Sequence, residues 1–168
     1  FDSWRDRFAL RAQGEGYSIA TIRSVLEGLT PLDTFLKERS APVDQAEFSK
    51  PIWDYVDSAV SSTRQQTGKE KLSTNRQLFA DLENTYGVPG EVLAAIWGME
   101  TSFGGFMGTF DAPEALASMA VEGRRRTFAE RELLAIMEIV ETGQARRDEL
   151  IAGWAGAMGH TQFMPTTY

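Results

Sequence analysis

The sequence predicts an all-α protein. Three observations carry this. Apolar residues recur at intervals of three and four along most of the chain, no stretch alternates convincingly at period two, and glycine and proline clusters separate the periodic segments. Trp4, Phe8 and Ala12 share one helical face, and Gly14 and Gly16 then punctuate. Ser18 is placed to cap a second helix with Ile19, Ile22, Val25, Leu26 and Leu29 on a broad apolar face, ended by Thr30-Pro31. Residues 37–47 are polar, contain Pro42 and read as a connection. Phe48, Ile52, Tyr55, Val56, Ala59 and Val60 mark the next helix, and Leu72, Phe79, Leu82 and Tyr86 the inward face of another over 72–86. Gly87-Val88-Pro89-Gly90 is a break, with Pro89 suited to the first turn of the helix that follows. That helix, over 90–102, is apolar on most of its surface (Val92, Leu93, Ala94, Ala95, Ile96, Trp97, Met99), the pattern of a central, buried element. Glycines 104, 105 and 108 open a loop. Ala112-Pro113 starts a short helix through Ala120, residues 128–140 form an amphipathic one, and a last helical segment over 148–155 leads into Gly156-Ala157-Met158-Gly159.

Composition narrows the function. The 168 residues suffice for one domain with a sizeable core, and 42% hydrophobic with 24% charged residues is a globular balance. No apolar stretch approaches the roughly 18 residues of a membrane-spanning helix. The opening Phe1-Asp2-Ser3-Trp4-Arg5 reads as a helix start rather than a targeting segment, so for an exported protein that segment is expected to have been removed. A net charge of −7 disfavours nucleic acid as a partner, and gives no long-range attraction to an anionic polymer. The absence of cysteine removes disulfides, thiolate metal sites and cysteine nucleophiles. A single histidine, His160, rules out a multi-histidine metal site, and neither a metal nor another cofactor is expected.

Glu100 is the outstanding candidate for chemistry. It falls near the C-terminal end of the most apolar helix, just before the glycine-rich loop. The negative end of the helix dipole and burial beside Trp97, Met99 and Phe103 both favour the protonated acid over the anion. A carboxylic acid that keeps its proton near neutral pH is what protonates a leaving oxygen in glycoside cleavage. The alternative is a glutamate that points to solvent or pairs with one of the arginines at 124–126. The second signal is Ala155 through Pro165. Its small residues let backbone approach a ligand closely, Gln162 offers donor and acceptor to an N-acetyl or hydroxyl group, and Met158, Phe163 and Met164 suit an apolar wall. The alternative here is close packing with Gly and Ala as spacers. Arg124-Arg125-Arg126 reads either as a solvated helix end or as a carboxylate-recognition site. Trp97 and Trp154 flank the two signals and could stack on sugar faces, although core packing is the commoner use of tryptophan.

Taken in order, five stretches resemble the B-type lytic murein transglycosylases, glycoside hydrolase family 103. They are Tyr86-Gly87-Val88-Pro89, Ile96 through Gly104, Ala115 through Ala120, Arg125-Arg126, and Trp154 through Pro165; Phe1 through Trp4 and Gln45-Ala46-Glu47-Phe48 are similar to the family as well. Any one would be a weak signal, whereas five in register are specific. The resemblance implies a lysozyme-like helical fold and cleavage of the β-1,4 bond between N-acetylmuramic acid and N-acetylglucosamine, the muramic acid C6 hydroxyl closing on C1 to leave a 1,6-anhydro end. It implies Glu100 as the catalytic acid/base. Gln162, Arg125 and Arg126 follow as substrate-binding residues, the arginines toward the peptide, with Met158, Phe163 and Trp97 expected beside them. The substrate groove is expected between the Glu100 helix and the Gly156–Gln162 loop.

Ordinary glycosidases need two carboxylates. Glu114, Glu122, Glu130 and Glu132 fall on solvated-face patterns, and a nucleophile supplied by the substrate removes the need for a second one. Two departures stand out. Gly153 replaces a serine of many family members, and members continue past the position of Tyr168 with an aspartate-rich loop and further helices. The chain is therefore expected to be one catalytic domain, 1–168, truncated on its C-terminal side. A monomer in the bacterial periplasm or envelope is implied, with peptidoglycan strands as partner. A water-using muramidase and a peptidoglycan-binding or inactive scaffold are the alternatives.

Overall fold

The computed structural model describes residues 1–32 and 51–168, so the connection expected at 37–47 and the Gln45–Phe48 segment lie outside the described residues. In chain order the helices are α1 (Asp2–Gly14), α2 (Ile19–Leu26), α3 (Ile52–Ala59), α4 (Ser62–Thr74), α5 (Arg76–Tyr86), α6 (Gly90–Thr101), α7 (Ala112–Glu122) and α8 (Arg126–Glu141). Strands β1 (Phe110–Asp111) and β2 (Ile151–Ala152) add a minimal antiparallel ribbon, and Arg147–Glu149 is one 3-10 turn. The chain forms two compact units: the first is Phe1–Ala41 with Met107–Tyr168, the second Pro42–Phe106.

The first unit is built on α7 and α8. Leu116, Ala117 and Ala120 of α7 and Leu133, Ile136 and Met137 of α8 are fully buried, and Trp4, Phe8, Val25 and Leu26 cover them. The Trp4 indole stacks on Phe8 with centroids 5.3 Å apart and donates to Glu130 Oε1 at 2.8 Å, giving the one polar atom of a buried ring its partner. Ser18 does cap α2: its Oγ accepts from the Thr21 amide at 3.1 Å and donates to Glu141 Oε2 at 2.8 Å. Ile19, expected on the buried face, is 62% exposed, because as the first residue of α2 it turns away from the Ile22–Val25–Leu26 stripe.

The helix expected at 148–155 does not form. The 3-10 turn gives way to β2, which pairs Phe110 with Ala152 and Asp111 with Ile151. Gly153 and Gly156 deny a helix its continuation, and the ribbon answers the backbone groups of a segment too short for helical bonding. Gly108 makes the ribbon possible: a Cβ there would stand 2.0 Å from the Ala152 carbonyl oxygen. Asp111 then starts α7, accepting from the Glu114 amide at 2.9 Å while holding Arg147 in a two-pronged ion pair at 2.5 and 2.8 Å.

In the second unit α6 lies against α4 and α5. The helix expected over 72–86 is interrupted at Asn75, whose amide and side chain both donate to the Lys71 carbonyl, ending α4 as α5 begins. Helix α4 left no sequence signal because Ser62 through Lys71 has no apolar stripe. Tyr86, expected on an inward face, is 72% exposed; Ile52, Tyr55 and Val56 of α3 and Val60 just after it are exposed as well. Helix α6 is not apolar-buried either. Its buried positions are Gly90, Ala94, Gly98 and Thr101, while Val92, Ile96 and Met99 are exposed. A stripe of small residues brings α6 close to its neighbours. A Cβ on Gly90 would meet Phe79 Cβ of α5 at 3.0 Å.

Candidate active site

Glu100 occupies the last turn of α6, which ends at Thr101. Ser102, Phe103 and Gly104 follow with φ of 50°, 61° and 82°. Two consecutive non-glycine residues in the left-handed region cost about 1–3 kcal/mol each, and such strain gathers at functional sites. Hydrogen bonds hold the turn: Ser102 N to Gly98 O at 3.2 Å, Phe103 N to Trp97 O at 3.2 Å, Gly104 N to Thr101 Oγ1 at 3.0 Å, Gly105 N to Ser102 O at 3.3 Å and Phe106 N to Thr101 O at 3.0 Å. The buried Phe103 ring folds back over Gly98, where a Cβ would sit 2.6 Å from it, and meets the Trp97 ring edge-on at 5.6 Å. Lys71 Nζ lies 5.5 Å from the centre of the Trp97 ring. Trp97 is thus half-buried and gripped within its own unit.

The expectation that Glu100 is buried is corrected: its side chain is exposed. The exposed, small-residue character of α6 is the reason, since Glu100 is not on the Gly90–Ala94–Gly98–Thr101 stripe. Among the described residues no ion pair involves Glu100. On a neighbouring face of α6 an apolar cavity of about 270 Å³ opens between Val60, Arg64, Leu72, Ala94, Met99 and Phe103.

The second motif is a hairpin in the first unit. Met158 and Phe163 exchange backbone hydrogen bonds of 2.8 and 3.0 Å and close the loop Gly159–Gln162, with Gly159 at φ 71° and Gln162 at φ 50°. The Gln162 Nε2 donates to Met107 O at 3.2 Å and Gly159 O at 3.0 Å, which fixes the amide. Among the described residues its Oε1 has no hydrogen-bond donor, so the open end of the amide is an acceptor. A Cβ on Gly153 would lie 3.2 Å from that Oε1, so a serine at 153 would stand beside Gln162. Phe163 and Trp154 are exposed beside the loop, while Met158 and Met164 are half-buried against the core. At Gly156 the packing alternative holds: it is buried, and a Cβ there would stand 2.6 Å from Leu116 Cδ2.

Arg125 and Arg126 sit at the α7–α8 turn, both exposed. The Arg125 guanidinium covers the Phe128 ring at 4.8 Å, and Arg126 Nε donates to Ala120 O at 3.1 Å. Cations at the positive end of a helix are disfavoured unless an anion joins them. The structure therefore groups Gln162, Met158 and Phe163 in one hairpin, Arg125 and Arg126 at a separate turn of the same unit, and Glu100 with Trp97 on α6. Sequence reading misplaced Glu132. It is fully buried, whereas a solvated face was expected. The available signal was spacing, because Ala129, Glu132, Leu133 and Ile136 follow the i, i+3, i+4, i+7 pattern of the buried face. Among the described residues no group of three or more His, Cys, Asp or Glu is gathered to hold a metal ion.

The model of the transglycosylase SLT domain matches this chain over residues 1–168. The chain belongs to the transglycosylase SLT domain family. It is similar to the membrane-bound lytic murein transglycosylase B of Escherichia coli K12, 37% identical over 84 residues, covering 49% of this chain and 23% of that protein. It superimposes on SltB3 of Pseudomonas aeruginosa, solved in complex with NAG-NAM-pentapeptide, with a TM-score of 0.90 and 34% identity over 99% of this chain and 44% of that one. It also superimposes on the lytic transglycosylase Slt35 of E. coli, in complex with bulgecin A, with a TM-score of 0.82 and 25% identity over 98% of this chain and 52% of that one. The B-type resemblance and the lysozyme-like helical fold are borne out. The SLT-domain chain spans about a quarter to half the length of these relatives.

Proposed function

We propose that this chain is the catalytic part of a lytic transglycosylase that cleaves the β-1,4 bond between N-acetylmuramic acid and N-acetylglucosamine in peptidoglycan. The observation that carries the reading is Glu100. An exposed carboxylate, unpaired among the described residues, stands at the end of α6 beside a strained turn, in a chain matched by the SLT domain model along its whole length. In this reading the protonated Glu100 donates to the leaving O4. The resulting carboxylate takes the proton of the muramic acid C6 hydroxyl as that oxygen closes on C1, leaving a 1,6-anhydro end. The single-acid scheme agrees with the partners that glutamates of the first unit already have: Glu130 accepts from Trp4 and Arg11, Glu132 from Thr166 and Arg131, and Glu114 from Thr30. The fixed amide of Gln162 supplies a glycan-binding acceptor, Phe163 and Met158 its apolar side, Trp97 a stacking face beside Glu100, and Arg125 and Arg126 contacts to stem-peptide carboxylates. With peptidoglycan as substrate, the proposed place of action is the bacterial periplasm or envelope, and a monomer is proposed with it.

The test is mass spectrometry of soluble products after incubation with purified sacculi. The parent is expected to release anhydro-muropeptides, and Glu100→Gln to lower the rate by at least about a thousand-fold, the scale set by loss of an essential acid, without loss of fold. Reducing muramic acid ends would mean hydrolysis instead. Anhydro products from Glu100→Gln at parental rate would remove Glu100 from the mechanism.

A further inference from the structure

Glu132 is a fully buried carboxylate that the reaction does not use. Its Oε2 accepts from the Thr166 amide at 2.9 Å, and its Oε1 accepts from the Thr166 hydroxyl at 3.0 Å and from Arg131 NH2 at 2.9 Å. A buried carboxylate persists only where its oxygens are answered, and here both are answered by charge-assisted or short bonds. What they hold is one residue of the turn Met164–Tyr168, itself closed by Thr167 N to Met164 O at 2.8 Å. Only Met164 and Pro165 separate Thr166 from Phe163, and Pro165 is buried. Phe163 is the closing residue of the hairpin whose loop carries Gln162. Helix α8, which carries Leu133, Ile136 and Met137 of the core, is thereby tied to the base of that loop.

We propose that Glu132 is a positioning residue: by holding Thr166 it fixes the register of the Met158–Phe163 hairpin and with it the Gln162 amide. The functional half of this rests on the reading of Gln162 as a glycan-binding residue. Gln162 sits at positive φ and keeps its amide through two bonds to backbone carbonyls, so a hairpin that slides or frays loses the acceptor's aim before it loses the fold.

The experiment compares Glu132→Ala, Glu132→Gln and Thr166→Val with the parent, reading amide hydrogen exchange residue by residue. Thr166→Val replaces the hydroxyl that bonds Glu132 Oε1 with a methyl and leaves the Thr166 amide bond to Oε2 in place. It is expected to speed exchange of the Met158 and Phe163 amides about ten-fold, with the α7 and α8 core amides little changed. Glu132→Ala gives a larger local effect, and Glu132→Gln, which keeps one acceptor, recovers part of it. Unchanged hairpin amides, or an equal speeding of every core amide, would overturn the assignment. In product release from sacculi, Thr166→Val is expected to raise KM about ten-fold with kcat nearly kept. A parental KM despite a loosened hairpin would overturn the link to substrate. A parent that releases nothing counts against the proposed function alone, because exchange decides the anchoring without turnover.

Discussion

Gly156→Ala puts a number on how closely the second motif rests on α7. Two costs add. Gly156 lies at φ +87°, and an L residue held there loses about 1–2 kcal/mol. Its new Cβ would stand 2.6 and 2.8 Å from Cδ2 and Cγ of Leu116, a side chain with no exposed surface and core on every side, so relief costs about 1–3 kcal/mol of overpacking. The expected destabilisation is about 2–5 kcal/mol. Gly143→Ala separates the two costs: it has φ +69° but open space around its Cβ, so it pays only the backbone cost of about 1–2 kcal/mol. Urea unfolding followed by circular dichroism, with both variants in the same unit, reads the difference. Equal losses would refute the claimed contact with Leu116, and so would a Gly156→Ala protein as stable as the parent.

Other expectations follow from the same geometry. Asp111→Ala removes the cap of α7 and strips Arg147 of its partner, at about 2–4 kcal/mol; Asp111→Ser keeps the cap and is expected to recover roughly half in the same denaturation series. Hydrogen bonds from Thr21 and Ser18 hold the Glu141 carboxyl below its usual range. Its contribution is therefore complete above the ordinary glutamate range and lost as pH falls through the lowered folded value. Glu141→Gln is expected to lower the urea midpoint at pH 7, and to converge with the parent once acid has protonated the parent's Glu141. A difference that persists in strong acid would mean the Ser18 bonds do not depend on the charge.

Helices were legible where a stripe of large apolar residues meets a helical period and a cap, as with Trp4–Phe8–Ala12 and with Ser18 before Ile22–Val25–Leu26. They were illegible where tertiary contact decides. Helix α4 has no stripe to read, and Asn75 breaks a continuous pattern by bonding back to Lys71. The 148–155 segment becomes a strand because Gly108 lets a distant backbone come within reach. The buried face of α6 was misjudged because packing selects small residues there and leaves Val92, Ile96 and Met99 outside. The same error misplaced Glu100 as buried. Glu132 was read by its charge although its spacing put it inside. The motifs identified the family through residues at fixed intervals, several of which, such as Gly98 under Phe103 and Gly156 against Leu116, are set by close packing. Which end of the Gln162 amide is already engaged needed coordinates, since only they show Met107 O and Gly159 O holding its nitrogen.

The division of the chain also sets an order of assembly. The second unit is one continuous stretch, Pro42–Phe106, inserted between the two pieces of the first. Trp4 must wait for Glu130, and Ser18 for Glu141, more than a hundred residues later. During synthesis the internal contacts of the inserted unit fall within one unbroken segment, while α1 and α2 emerge before the α7 and α8 residues that cover their apolar face. Destabilising α7 or α8 would prolong that exposure, so variants there are expected to aggregate during expression more than equally destabilising variants in α4–α6.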